Sequence, residues 1–351
     1  MIIEKLRELG MEITADTRGN ILSTSPFSFS SLPLLVIDPL SDTFLDLETG
    51  MKGDGEAFMK RLSHISKPTF SLEPMPRKEE TEEEKRYKEI MRASWDYYRG
   101  QIEKRQGNMA RKYLEERGFS YTDFGYSGHY GNGLYNHLMR EGYGEEEIRE
   151  LKLVREKEGK HHDVFMKRVM IPIRDAYGDI VAFGGRLIEE TEEFPKYMNS
   201  SETPIFSKRD MLFGYDTART AVCNSYILCE GYMDVLSLHR EGFTNAVASL
   251  GTSLTEQQCM RMKNKHKVYV MYDSDEAGIK ASLRAIPMLQ SMGFLVRRIE
   301  TGEYKDPDEL LKEKGKEGFL KRFEKSIDGT EYMLEHLNGE KAVDYLCSLI
   351  L

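Results

Sequence analysis

Between residues 225 and 300 the chain alternates short apolar runs with amphipathic ones, and this alternation constrains the fold more than any other feature. SYILCE (225–230), NAVASLG (245–251), KVYVMYD (267–273) and FLVRRIE (294–300) have the composition of buried strands. GYMDVLSLHREG (231–242), TEQQCMRMKN (255–264) and EAGIKASLRAIPMLQSMG (276–293) lie between them with helical spacing. Strand–helix alternation with connections of this length implies a parallel sheet with helices on its faces, an α/β architecture.

Such sheets carry their sites beyond the C-terminal ends of the strands. Acids stand at those ends here. Glu230 closes the first run, Asp273 closes the third, and Asp275 follows two residues later. Asp306 and Asp308 open a helix after the fourth. Carboxylates gathered at one edge repel each other and resist desolvation, and a hard divalent cation relieves both costs. An acid at a strand end also makes a good helix N-cap, and Asp306 and Asp308 suit that role. Acids at three of the four strand ends are more specific than any one of them.

The rest of the chain divides by composition. Residues 1–65 form a small unit of strand-like pieces, including MEITADTRGNIL (11–22), LPLLVI (32–37) and TFLDL (43–47), closed by a helical stretch. Residues 66–84 hold Pro68, Pro74 and Pro76 and then a charged run, as linkers do. From Glu82 to Arg117 the pattern is helical, with Tyr87, Ile90, Met91, Ser94 and Tyr98 on one face. One helix is expected at 145–152. Sheet is expected over 164–188, where Pro172 points to an edge strand or a bulge. Trp95 has helical spacing and reads as core rather than as a base-stacking platform, and His161 and His162 read as a loop pair.

The four cysteines form no CxxC pair, which argues against a disulfide scaffold and a thiolate zinc site. No apolar run is long enough to span a bilayer and no signal-peptide core opens the chain, so a cytoplasmic protein is expected. The net charge of −9 gives no global attraction to nucleic acid.

EGYMD (230–234) followed by YDSDEAG (272–278) resembles the TOPRIM domain of primases, topoisomerases, recombination mediators and a nuclease family. The strings ARKYLEERGFS (110–120), FMKRVMIPIRDAYGDIVAFGGR (165–186), PKYMNSSETPIFSKRDMLFGY (195–215) and KDPDELL (305–311) narrow the resemblance to the bacterial replicative primase, DnaG type. That resemblance is dense and colinear over roughly 85–325. It implies a primase core N-terminal subdomain at 85–220, a TOPRIM domain at 221–310 and a C-terminal helical segment at 311–351.

It also implies roles. Glu230 matches the catalytic glutamate and Asp273 and Asp275 the metal-binding pair that shares the catalytic role, with Asp306, Asp308 and Asp234 as the further acids; all six are expected metal ligands. Arg117, Lys167, Arg168, Arg174, Lys196, Asn199, Lys208 and Arg209 match positions that hold template and nucleotide phosphates. The implied activity is metal-dependent nucleotidyl transfer, in which a 3′-hydroxyl attacks the α-phosphate of a ribonucleoside triphosphate on single-stranded DNA. Mg²⁺ or Mn²⁺ is the implied cation. A weakly active or inactive accessory of a mobile element and a TOPRIM nuclease are the alternatives.

Two features depart from the family pattern. The family opens with a zinc ribbon, and the framing residues Pro26, Phe27, Phe44, Gly50, Gly53, Asp54 and Phe58 fit it. The four ligand positions are Ser25, Ser28, Asp46 and Thr49, which will not hold zinc at structural affinity. A metal-free ribbon remnant is expected, and zinc is not. The usual domain that docks on the replicative helicase is also missing from the sequence given; either the chain is a truncation or a helicase is contacted another way, and a replicative helicase stays a possible partner.

Overall fold

The structure is a computed structural model. It describes all residues except 9–10, 12, 17–18, 26–32, 34, 47–51, 65–78, 130, 190–192, 222, 252 and 350–351. Ser28, Thr49, Pro26, Phe27, Gly50 and most of the expected linker therefore lie outside the described residues.

The chain opens with α1 (Ile2–Glu8) and an antiparallel meander of β1 (Ile13–Ala15), β2 (Ile21–Ser23), β3 (Leu35–Asp38), β4 (Thr43–Asp46) and β5 (Lys52–Asp54), followed by α2 (Gly55–His64). In β3 and β4 alternate residues turn inward. Leu35, Ile37 and Phe44 join Ile2, Leu6 and Phe58 in a small apolar core, with Phe44 edge-on to Phe58 at 5.2 Å. At its margin the Ser25 hydroxyl donates to the Asp46 carboxylate at 2.5 Å, both side chains buried.

The next unit begins with α3 (Glu82–Glu103). A full capping box between Thr81 and Glu84 starts this helix inside the stretch expected to be linker. Its inner face buries Tyr87, Ile90, Met91, Ser94, Trp95 and Tyr98. The helical run expected to reach Arg117 is broken at 104–107 and resumes as α4 (Asn108–Glu116). The chain doubles back there so tightly that a Cβ on Gly107 would lie 2.2 Å from the Ile102 carbonyl oxygen. Then come β6 (Gly125–Tyr126), α5 (Gly133–Arg140), α6 (Glu145–Glu150), the hairpin β7 (Val154–Lys157) and β8 (Lys160–Asp163), β9 (Arg168–Arg174), β10 (Ile180–Leu187) and β11 (Tyr197–Asn199). α5 was not anticipated, and His161 and His162 lie on β8 rather than in a loop.

The sheet order is β11-β10-β9-β6. β9 is internal, yet β6 pairs only with Val169 and Met170, so among the described residues Pro172 has no neighbouring strand on that side. A register shift between Ile180 and Ala182 supplies the bulge. Trp95 stacks near Phe183 at 6.3 Å, inside the core.

The parallel sheet follows α7 (Tyr215–Ala218) as β12 (Ser225–Cys229), α8 (Tyr232–Arg240), β13 (Ala246–Ala248), α9 (Glu256–Arg261), β14 (Lys267–Val270), α10 (Glu276–Ser291) and β15 (Leu295–Arg298). α11 (Pro307–Glu324) runs across the expected boundary at 310, and a short strand not anticipated, β16 (Ile327–Asp328), precedes α12 (Gly329–His336) and α13 (Glu340–Ser348). The strand order is β13-β12-β14-β15-β16, parallel except for β16. The α/β expectation holds, with apolar cores on both faces of this sheet.

The two units meet directly. The Arg240 guanidinium donates to the carbonyls of Arg117 and Gly118, and Phe213 pairs with Ala248 through backbone bonds. No helix among the described residues is long and apolar enough to cross a membrane.

Candidate active site

The strand order reverses between β12 and β14, and there the chain ends of adjacent strands diverge and open a crevice. Glu230 leaves β12 at this point and Asp273 leaves the β14 segment beside it. The Asp273 N–H donates to the Glu230 carboxylate at 3.1 Å. Asp275 caps α10, accepting from the Gly278 N–H at 2.9 Å. The helix start lies so close that a Cβ on Gly278 would sit 2.2 Å from the Asp273 carbonyl oxygen and 2.8 Å from Glu230. The glycine of YDSDEAG is thus a steric requirement of the site.

A second row of acids lies behind. Asp234 accepts from the Gly231 N–H at 3.0 Å and from the Asp308 N–H at 3.4 Å. Asp306 caps α11 through the Glu309 N–H at 2.8 Å, the role its position suggested. Asp308 accepts from the Ser237 hydroxyl and pairs with Arg117 at 2.5 Å.

Burial pushes the Asp273 carboxyl up to about 7, reinforced by Glu230 and Asp306 and opposed by Lys305. Burial also raises Glu230, against the Asp273 N–H, Arg298 and Lys305. Asp234 is pushed well above the carboxylate range by burial and by Asp306, Asp273 and Asp308. Burial lifts Asp308 despite Ser237 and Arg117. Burial first, and the neighbouring acids second, make these carboxyls harder to ionise than ordinary ones. An oxygen-only donor set under that stress fits a hard divalent cation held by Glu230, Asp273 and Asp275.

The tightest acidic cluster among the described residues is elsewhere. Oxygens of Glu80, Asp175 and Asp179 lie within 4.8 Å of one another, closer than the acids of the crevice converge. Lys88 fills that cluster, at 2.7, 2.6 and 3.0 Å. Burial works against the Lys88 charge, but its carboxylate partners outweigh it and hold the ammonium above its usual value.

The basic positions separate into two kinds. Arg168 is buried and its guanidinium is spent on the Gly185 and Lys196 carbonyls, so it braces the sheet rather than facing a ligand. Asn199 donates to the Leu250 carbonyl at 2.7 Å and accepts from the Tyr232 hydroxyl, which ties the two sheets together. Arg174 donates to the Gly178 carbonyl across a hairpin, and Arg117 is held by Asp308. Lys196 borders β11 and lends its carbonyl to Arg168 and Leu187. Lys167 and Arg209 are exposed and Lys208 is half-buried; these three enter no ion pair among the described residues.

Two arginines escaped the sequence reasoning. Arg186 lies between the rings of Tyr113 and Tyr197, at 5.4 and 5.1 Å, with Arg117 over the other contact of Tyr113 at 5.2 Å. The GGR step at 184–186 was its only signal. Arg298 is buried beneath Asp273, and only the strand alternation of FLVRRIE pointed inward.

Residues 97–219 match the family described as DNA primase catalytic core, N-terminal domain, and residues 227–311 match the Toprim-like family. The DNA primase of Clostridium acetobutylicum is 37% identical over 232 residues, covering 64% of this chain and 39% of that protein. The chain thus spans well under two thirds of that relative's length. A solved DnaG primase catalytic domain bound to single-stranded DNA is 30% identical at a TM-score of 0.66, covering 76% of this chain and 90% of that one. The zinc-binding and RNA polymerase domains of the Aquifex aeolicus primase are 29% identical at a TM-score of 0.65, covering 99% of this chain and 94% of that one.

Proposed function

This chain belongs to the DnaG-type bacterial DNA primases, and from that membership we propose that it makes short RNA primers on single-stranded DNA. The observation that carries the proposal is the Glu230–Asp273 pair at the strand-order reversal, half-buried and charge-stressed, with Asp275 two residues on. The relative solved with single-stranded DNA supports the template.

In this reading Glu230, Asp273 and Asp275 hold a divalent cation, Mg²⁺ by preference and Mn²⁺ as a substitute. Once bound, it compensates negative charge on the reacting phosphates. Asp234, Asp306 and Asp308 set the spacing of α8, α11 and Arg117 around the crevice. The 3′-hydroxyl oxygen forms a bond to the α-phosphorus, the bond to the β,γ-diphosphate breaks, and pyrophosphate leaves. We assign the hydroxyl proton to a carboxylate of this edge, with Glu230 as the acceptor. Lys167, Lys208 and Arg209 take phosphates of template or nucleotide, with Arg117, Arg174, Lys196 and Asn199 shaping the surface between the two sheets. We assign 85–220 to the primase core, 221–310 to the TOPRIM domain, 1–65 to a ribbon remnant without zinc and 311–351 to a C-terminal segment.

A second reading rests on the ribbon. Ser25 and Asp46 are not zinc ligands of structural strength, and in this reading the chain acts as an accessory with little synthesis of its own. One experiment separates them: de novo synthesis on single-stranded DNA with labelled ribonucleotides and Mg²⁺ or Mn²⁺. Primer products support the enzyme; binding of single strands with no product under either metal replaces it with the accessory.

A further inference from the structure

Arg298 ends β15 one strand away from Asp273. Its neighbour Arg297 turns to the opposite face, where it bonds the Ser326 hydroxyl at 3.0 Å. Arg298 turns inward and is 2% exposed. A guanidinium so deep is costly unless its donors are met. One terminal nitrogen donates to the carbonyls of Val270 at 3.1 Å and Ile299 at 2.7 Å. The other donates to Tyr272 at 2.9 Å and reaches Asp273 at 3.5 Å. Its Nε has no acceptor, and it enters no ion pair among the described residues.

Three of these carbonyls, those of Val270, Tyr272 and Asp273, belong to the β14 segment as it runs into the crevice, and the fourth, Ile299, follows β15 itself. Asp273 is thereby held on both sides, its carbonyl by Arg298 and its N–H by Glu230. Above the guanidinium lies the ring of Tyr332 from α12, at 5.7 Å, brought there by the pairing of Arg298 with Ile327 on β16. The segment beyond the Toprim-like match therefore closes over the cation that braces the acidic edge.

We infer that Arg298 is a positioning residue for the acidic edge, fixing Asp273 against Glu230 through the carbonyls of β14, and that Tyr332 holds it in place. The inference rests on the reading of that edge as a divalent-cation site for nucleotidyl transfer. A flat fork of donors spans carbonyls on two strands at once. A lysine keeps the charge and loses the span.

The test is Mn²⁺ binding to the full chain, followed by electron paramagnetic resonance, in wild type, Arg298→Lys, Tyr332→Phe and Tyr332→Leu. Primer synthesis is measured alongside. Arg298→Lys is expected to weaken Mn²⁺ binding about tenfold, as loss of a group that orients a ligand does. Its kcat should fall with template KM unchanged, at a temperature where it is fully folded. Tyr332→Phe keeps the ring and should match wild type, while Tyr332→Leu should shift Mn²⁺ affinity in the same direction by less. A folded Arg298→Lys with wild-type Mn²⁺ affinity overturns the inference. If that variant does not fold, wild-type Mn²⁺ affinity in Tyr332→Leu overturns it instead. A wild type that binds Mn²⁺ but makes no primer sinks the primase reading alone and leaves this one to the binding data.

Discussion

In the N-terminal meander a hydroxyl and a carboxylate meet at 2.5 Å, buried, at two positions that the sequence resemblance expects to match zinc ligands. At the edge of the parallel sheet Glu230 and Asp273 are also drawn together, but the contact runs through a backbone N–H and leaves both carboxylates short of positive charge. One cluster contains a donor and satisfies itself. The other has only acceptors among its side chains and stays under electrostatic stress. The Glu80, Asp175 and Asp179 cluster is a third case, in which a lysine takes the cation's place. Proximity of acids alone thus says little about metal; what matters is whether a proton donor or a fixed cation has already settled their charge.

The contrast is most easily broken at the stressed edge. Glu230→Gln and Asp273→Asn are each expected to cut primer synthesis by about 10²-fold or more while the protein stays folded, the scale of losing one electrostatic group at an active site. Synthesis by Glu230→Gln at the wild-type rate would remove the distinction between the two regions.

The next effect is in pH. The Asp273 carboxyl sits at about 7 in the folded, metal-free chain, against an ordinary 3.8. Protonation therefore favours the fold. The contribution is complete below about 3.8 and is lost as pH rises to about 7. A cation must displace that proton, so Mn²⁺ affinity should climb by about tenfold per pH unit for each proton displaced and level off above neutrality. Thermal melts of wild type and Asp273→Asn across pH 4 to 8 check the first half, with the variant flatter. Mn²⁺ titrations check the second, and a pH-independent affinity would refute it.

The self-satisfied region should respond in stability rather than catalysis. Asp46→Ala removes the carboxylate that accepts from the buried Ser25 hydroxyl and should cost about 1–3 kcal/mol in urea denaturation, with synthesis per folded molecule unchanged. Tightly held zinc in purified protein, found by elemental analysis, would contradict the picture of that region as closed without metal.

The smallest effect concerns the exposed cations. Lys167→Ala removes one phosphate contact and should reduce the salt slope of single-strand binding by about 0.7, with a modest loss of affinity. An unchanged slope would move the template track to Lys208 and Arg209. The basic run at 261–267 is a poor substitute, because Lys265 is buried and bound to the carbonyls of Ala221 and Cys223.

What could be read from the sequence was what local pattern controls. Four strands and three helices of the parallel sheet follow from periodicity, and the acids at Glu230 and Asp273 follow from where those strands end. The capping acids Asp275 and Asp306 sit where helix chemistry wants them. The misses share one cause. Arg168, Arg186 and Arg298 are charged residues whose burial depends on carbonyls and rings from distant segments. Composition assigns such residues to the surface. The break before α4 and the freedom of Pro172 likewise depend on which segment packs opposite, which no window along the chain contains.

β16 has a consequence for how the molecule can be divided. The Toprim-like match stops at residue 311, yet among the described residues the strand that pairs with the outer side of β15 is the two-residue β16 at 327–328. A piece cut at that boundary would present an unpaired strand edge beside an uncovered apolar face that Tyr332 and Met333 now fill. Open edges of that kind recruit one another. The shorter piece should self-associate, and the smallest well-behaved unit of this sheet runs through α12.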